Sequence, residues 1–125
     1  MGRIWLDRNG DGRFDNSELV SGQGLGASKV AMGGKTGVAQ APTVKIMRRG
    51  PLHVIVRVDG ANKVDKADFG DQVDLHFYAG KPYVVTNHTF TNTNTTQGFT
   101  NLDSLYLSRD LNLGGNVKAR FGAEG

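Results

Sequence analysis

Leu52 to Gly60, LHVIVRVDG, sets Leu52, Val54, Val56 and Val58 on one side of an extended chain and His53, Ile55 and Arg57 on the other. Side chains alternate across a strand with a period of two, so this spacing predicts a β-strand with one apolar face. Asp59-Gly60 marks its end. Just upstream, Val44 and Ile46 alternate with Thr43 and Lys45 up to Arg49-Gly50-Pro51, which predicts a hairpin or a corner between two strands.

The same alternation runs outward. Ala61 to Gly70 is polar and reads as a loop. Val73, Leu75 and Phe77 then face one way, against Asp74, His76 and Tyr78. Ala79-Gly80-Lys81-Pro82 is a turn into a long strand from Tyr83 to about Thr93. Ser104 to Leu113 reads as another strand, Asn112 to Asn116 as a turn, and Val117, Ala119 and Phe121 as a last alternating run. Upstream, Ser21 to Pro42 is rich in Gly and Ala with little periodicity; a long loop holding an irregular strand and a linker are both open readings there. Six or seven strands with turn-rich connections, in a chain with 18 glycines and three prolines, predict an all-β fold, an antiparallel β-sandwich. The expected organisation is one domain over 1–125: a strand and loop at 1–22, a Gly/Ala-rich connection at 23–42, and a strand-rich core at 43–125.

At 125 residues the chain is long enough to bury about two-thirds of the surface its unfolded form exposes. It has no cysteine, which rules out disulfides and thiolate metal sites. No apolar stretch has the length of a membrane span or of a signal segment, so no membrane partner is expected and any export signal is expected to have been removed. Met1-Gly2 leads straight into a strand-like segment, as an excised piece of a larger protein would. The net charge is +3, and its basic residues are scattered apart from Arg48-Arg49. A basic face could meet nucleic acid or a uronic-acid polysaccharide, a solvated surface is the bland reading, and the scatter does not favour nucleic acid.

Asp7 to Glu18, DRNGDGRFDNSE, carries the most specific chemistry. With Asp7 as position 1, Asn9 falls at 3, Asp11 at 5, Gly12 at 6, Arg13 at 7, Asp15 at 9 and Glu18 at 12. This is the EF-hand calcium-loop spacing, in which Arg13 would lend its backbone carbonyl and Glu18 would close the shell with both oxygens. Calcium is hard and takes several oxygens, and alternate residues of a tight loop can all turn inward. The competing reading is an Asx-rich turn with solvated carboxylates. Only Arg3-Ile4-Trp5-Leu6 precedes the loop, which reads as a strand, and Leu19-Val20-Ser21-Gly22 leaves room for about one turn of helix after it. A sensor would need a long helix on each side. The expected cofactor is therefore one structural Ca2+, held by Asp7, Asn9, Asp11, Arg13, Asp15 and Glu18.

The strings RGPLHVIVRVDG (49–60) and LHFYAGKPYVVTNHTF (75–90) resemble the β-sandwich part of the exo-acting rhamnogalacturonan lyase-like proteins, over roughly 43–120. Those proteins have a GPL-x-V-x-V-x-G strand, an FYAG-x-P-x-V hairpin and an HTF strand. The resemblance implies a secreted, extracellular or periplasmic, multidomain bacterial polysaccharide lyase that cleaves pectic or other uronate-containing chains by β-elimination. In such enzymes the catalytic residues lie mainly outside this stretch. The chain would then be an accessory β-sandwich that binds carbohydrate and meets neighbouring domains of a larger enzyme.

If the chain is itself catalytic, His76, Tyr78 and His88 are the candidates, because elimination needs a base for the proton α to the carboxylate and an acid for the leaving oxygen. Arg57 or Arg109 could neutralise that carboxylate. Tyr83 and Tyr106 are ring platforms for a sugar, with Tyr78 as a third. The bland reading of all these is a solvated sheet face. Trp5 is a further ring platform, and its competing reading, beside the loop, is a core residue that anchors it. Three functions are thus carried forward: a calcium-stabilised accessory binding module, a small standalone lyase, and a purely structural calcium module.

Overall fold

The computed structural model describes residues 3–21, 28–94, 99–112, 115 and 118, with the side chains of 38–41 excepted. The chain is all-β, and among the described residues every paired ladder is antiparallel. It comprises two compact units: one is made of 26–108, the other of 2–25 with 109–125. Among the described residues no α-helix occurs, and no helix is long and apolar enough to cross a membrane.

The larger unit contains β3 (Ser28–Met32), β4 (Lys35–Arg49), β5 (His53–Val64), β6 (Ala67–Tyr78), β7 (Val84–Asn92) and β8 (Ser104–Leu107), hydrogen-bonded in the order β7-β6-β5-β4-β3-β8. β4 changes partner along its length: Lys35 to Val38 pair with β3, and Ala39 to Arg49 pair with β5. The register slips between Gln40 and Thr43, where Pro42 sits; proline has no N–H for a ladder and is tolerated at a bulge.

Two segments depart from the sequence expectation. The Gly/Ala-rich connection holds a hairpin, with Gly33 and Gly34 at φ 57° and 73° making the turn between β3 and β4. Two successive positive-φ residues match the twist of paired strands, and only glycine supplies both without strain. Ala61 to Gly70 is strand rather than loop. β5 runs to Val64 and β6 restarts at Ala67 across Asp65, whose φ of 53° an aspartate tolerates. Lys35 Nζ reaches that Asp65 carboxylate at 2.7 and 2.8 Å. The segment looks polar because the exposed Lys63, Asp65, Lys66 and Asp68 alternate with a buried set, Asn62, Val64 and Phe69. The strand expected over 104–113 is described only as Ser104–Leu107, and the expected run at Val117, Ala119 and Phe121 lies outside the described residues.

The core of this unit is Val30, Val64 and Phe69, with Met32, Ala67 and Phe90 packed on it. Val30 on β3 thus meets residues of β5 and β6, strands to which β3 has no hydrogen-bonded ladder, so the contact is between side-chain faces. The Phe69 and Phe90 rings stack at 5.1 Å between centroids. Each fully buried side chain of this size contributes about 1.5–3 kcal/mol. Gly37 permits the approach: a Cβ there would lie 2.5 Å from the Lys63 carbonyl oxygen and 2.8 Å from Val64 Cγ2.

The smaller unit pairs β1 (Ile4–Trp5) with β2 (Leu19–Ser21), and the Asp7–Glu18 loop joins them. The Leu6 N–H donates to the Glu18 carbonyl at 2.9 Å, and Asn112 bonds the Val20 and Leu19 carbonyls at 2.7 and 3.0 Å. The helical turn expected after the loop is a 3-10 turn inside it, Asn16–Glu18, followed directly by strand.

Candidate functional site: a carboxylate-rich hairpin loop and a polar sheet face

In the hairpin loop every side chain proposed as a ligand is turned onto the loop's own backbone. Asp7 accepts from the Gly10 N–H at 2.7 Å and the Gly12 N–H at 3.0 Å. Asn9 Oδ1 accepts from Asp11 N–H at 3.0 Å, and Asp11 Oδ1 from Arg13 N–H at 2.7 Å. Asp15 Oδ1 accepts from the Ser17 N–H at 2.7 Å and the Ser17 hydroxyl at 2.6 Å, and these bonds hold its pKa below 3.8. Glu18 is buried and reaches back over the loop, taking the Arg8 N–H at 2.9 Å and the Asp15 N–H at 3.4 Å.

Gly10 and Gly12 have φ of 75° and 73°, which makes the inward curl possible. A carboxylate has about four lone-pair sites, so an oxygen that accepts an amide proton can still face a cation. Among the described residues no three His, Cys, Asp or Glu side chains converge as a metal-holding group. Each of these carboxylates instead accepts from amide N–H groups of the loop. The chemistry of the donor set, all oxygen, is that of a calcium loop, and Asp7, Asn9, Asp11, Asp15, Glu18 and the Arg13 carbonyl are the groups that would hold such an ion.

The second cluster lies on the solvent-facing side of β4–β7. The register places Arg57 opposite Asp74 and Asp74 opposite Asn87, so these share one face with His53, Ile55, His76, Tyr78, Val85, Lys45 and Arg48. Arg57 grips Asp74 with two bonds of 2.8 Å; this contact holds Asp74 below 3.8 and raises the Arg57 pKa. Lys45 pairs with Asp59 at 3.1 Å.

His53 Nε2 and His76 Nδ1 are 3.1 Å apart, and Asn87 Nδ2 donates to His76 Nε2 at 3.2 Å. With the amide so placed, His76 carries its proton on Nδ1 and gives it to His53 Nε2. His53 also stacks on Tyr78 at 4.4 Å and 7°, and Tyr83 tilts against Tyr78 at 6.0 Å. Burial, then the neighbouring Arg48 and His76, lower the His53 pKa below 6.5.

The structure therefore gathers His76, Tyr78, Tyr83 and Arg57, and separates the other candidates. His88 pairs in register with Val73 and so sits on the opposite face, where its Nε2 meets the buried Asp71 carboxylate. Tyr106 lies on β8 beside the Lys29 ammonium, 5.8 Å from the ring centroid. Arg109 belongs to the smaller unit, where it donates to Ser21 Oγ at 3.4 Å and burial lowers its pKa. Arg57 is committed to Asp74. Sequence reasoning missed His53 and Arg48; the alternation of 52–60 already put His53 on the polar face, but its meeting with Tyr78 needed the register. No protein-family model, no curated protein and no solved structure matches this chain.

Proposed function

We propose that this chain is a calcium-stapled antiparallel β-sandwich module of a secreted polysaccharide-degrading protein, an accessory and binding unit rather than the catalyst. The observation that carries the calcium reading is the hydrogen-bond set of Asp7–Glu18: five oxygen-bearing side chains folded back onto the amides of one tight loop, with Glu18 buried at the closing position. An ion held there ties β1 to β2 through the loop that joins them. Since the described flanks of the loop are the strands β1 and β2, such an ion would staple rather than signal. The face-on contact of Val30 with Val64 and Phe69 supports the sandwich reading. The quoted strings over 49–60 and 75–90 support a polysaccharide-acting parent, and an extracellular or periplasmic site of action goes with it.

Melting with chelator and with calcium tests the staple. Stabilisation should grow as RT ln(1 + [L]/Kd), and no shift at 10 mM calcium, about ten times the weakest usual extracellular Kd of roughly 1 mM, would overturn it. The standalone-lyase reading keeps His76 and Tyr78 together but loses His88 to the other face and Arg57 to Asp74. Absence of unsaturated uronate product from any uronate polymer would remove it.

A further inference from the structure

The end of the polar face where β5 and β6 approach the 79–83 turn has a charge imbalance. Residues 47–55 and 76–88 contain Arg48, Arg49 and Lys81 and no aspartate or glutamate. Elsewhere on this face the cations are matched, Lys45 by Asp59 and Arg57 by Asp74. Arg48 shares the face through its register with Ile55, is exposed, and has no carboxylate within salt-bridge distance among the described residues. Beside it stand the His53–His76 pair and two tyrosines, of which Tyr83 is 53% exposed.

We propose that Arg48, His53, His76, Tyr78 and Tyr83 form a proton-gated site for an acidic saccharide, the oxyanion held by Arg48 and the histidine pair and a sugar face laid on Tyr83. This rests on the polysaccharide-binding reading above and adds the site and its regulation. The hydrogen-bond order shows how the gate works. In the neutral pair His76 Nδ1–H donates to His53 Nε2, so the Nδ1–H of His53 has no partner among the described residues and is available to an oxyanion. An added proton goes to His76 Nε2, which now accepts from Asn87; the Asn87 amide turns over and offers its oxygen instead. The pair then carries one positive charge, shared along the same hydrogen bond.

The surroundings set the sign. From β4 the groups facing the pair are Arg48 and Lys45, from β5 Arg57 and Asp59, and from β6 Asp74 and Tyr78; β7 contributes only the neutral Val85 and Asn87. Asp59 and Asp74 are each paired with their own cation, and burial first, then the Arg48 charge, opposes protonation of His53 while the site is empty. A bound oxyanion removes that opposition. Binding therefore takes up a proton, and by linkage affinity rises as pH falls.

The patch is too small for nucleic acid, whose binding relies on many phosphate contacts; one guanidinium, a histidine pair and two tyrosines suit one or two sugar acids.

The test is calorimetric titration of the full chain at pH 5.5 and 7.5 with oligogalacturonate, a sulfated oligosaccharide, a neutral cello-oligosaccharide and a DNA duplex, in calcium. The expected result is binding of an acidic oligosaccharide that tightens about five-fold or more at the lower pH, the low end of ordinary coupling between linked sites. Arg48→Ala should abolish it. His53→Gln should weaken binding at pH 7.5 and lose the pH dependence, with the fold checked by its unchanged melting at pH 7.5. The carboxylate and sulfate arms decide which acid is preferred. Binding that survives Arg48→Ala, pH-independent binding, DNA bound as tightly as the saccharide, or no saccharide binding at all would each overturn the site. A calcium-dependent melting shift that persists beside such a result leaves the staple standing, and loss of that shift with saccharide binding intact overturns the staple alone.

Discussion

Replacing Glu18 by glutamine separates a calcium loop from a self-sufficient turn. The carboxylate is 3% exposed and accepts one good amide bond, from Arg8 at 2.9 Å, and one long one, from Asp15 at 3.4 Å. Glutamine keeps one carbonyl oxygen for the Arg8 N–H but loses the charge. A hydrogen bond to a charged group contributes about 1.5–3 kcal/mol and a neutral one about 0.5–1.5, so in chelator Glu18→Gln should cost about 1–1.5 kcal/mol. In calcium the wild type gains RT ln(1 + [L]/Kd), roughly 1.4–2.7 kcal/mol at 10 mM for a Kd of about 0.1–1 mM. For a chain of this length that is a rise of roughly 4–14 °C in Tm. Trp5 is the chain's single tryptophan and lies on β1, two residues before the loop, so its fluorescence reports melting there. Glu18→Gln should show the chelator cost and lose most of the calcium-dependent rise. If variant and wild type gain equally from calcium, Glu18 is not a ligand. If the variant is weaker by the same amount with and without calcium and the wild type gains nothing, the loop is held by its amides alone.

Phe69→Ala should cost about 3–5 kcal/mol in denaturant unfolding, because the ring is 1% exposed and its removal empties the contact with Val30, Val64 and Phe90. Gly37→Ala should cost about 1–3 kcal/mol or more, since the new Cβ meets the Lys63 carbonyl oxygen at 2.5 Å and backbone must shift; a stable variant would show that β4 and β5 can part there. Asp74 has a folded pKa held below 3.8, chiefly by its bonds from Arg57, so its contribution is complete above 3.8 and is lost as pH falls through the folded value. Acid unfolding curves of Asp74→Asn should therefore be shallower below pH 3.8 than those of the wild type, and superimposable curves would refute this. His53 has a depressed pKa, so the unfolded chain binds protons more readily below 6.5 and wild-type stability should fall as pH drops through that region; His53→Gln should remove that part of the slope.

The local turns of the smaller unit's loop were legible because their partners are close in sequence: the Asx bonds to Gly10, Gly12 and Arg13 follow from the spacing of Asp7 and Asp11. The turn of helix expected beyond it was misplaced, since Glu18 ends a 3-10 turn and Leu19 enters a strand paired with Trp5. In the larger unit, alternation sufficed where one face is continuously apolar, as at 52–58 and 73–77. It failed at 61–70 and 28–37, where exposed charges and small residues hide a buried set, because what makes Asn62, Val64 and Gly37 interior is their approach to other strands.

The chain by itself determined the all-β class, the turns at 49–51 and 79–82 and the carboxylate spacing, all consequences of local geometry. Only the tertiary structure decided who stands beside whom across strands. Residues two apart share a face, but which neighbours they meet depends on register, and a one-residue slip inverts every side chain. That is why His53 joins His76 and Tyr78 from a separate strand, while His88, on the strand beside them, turns away to Asp71.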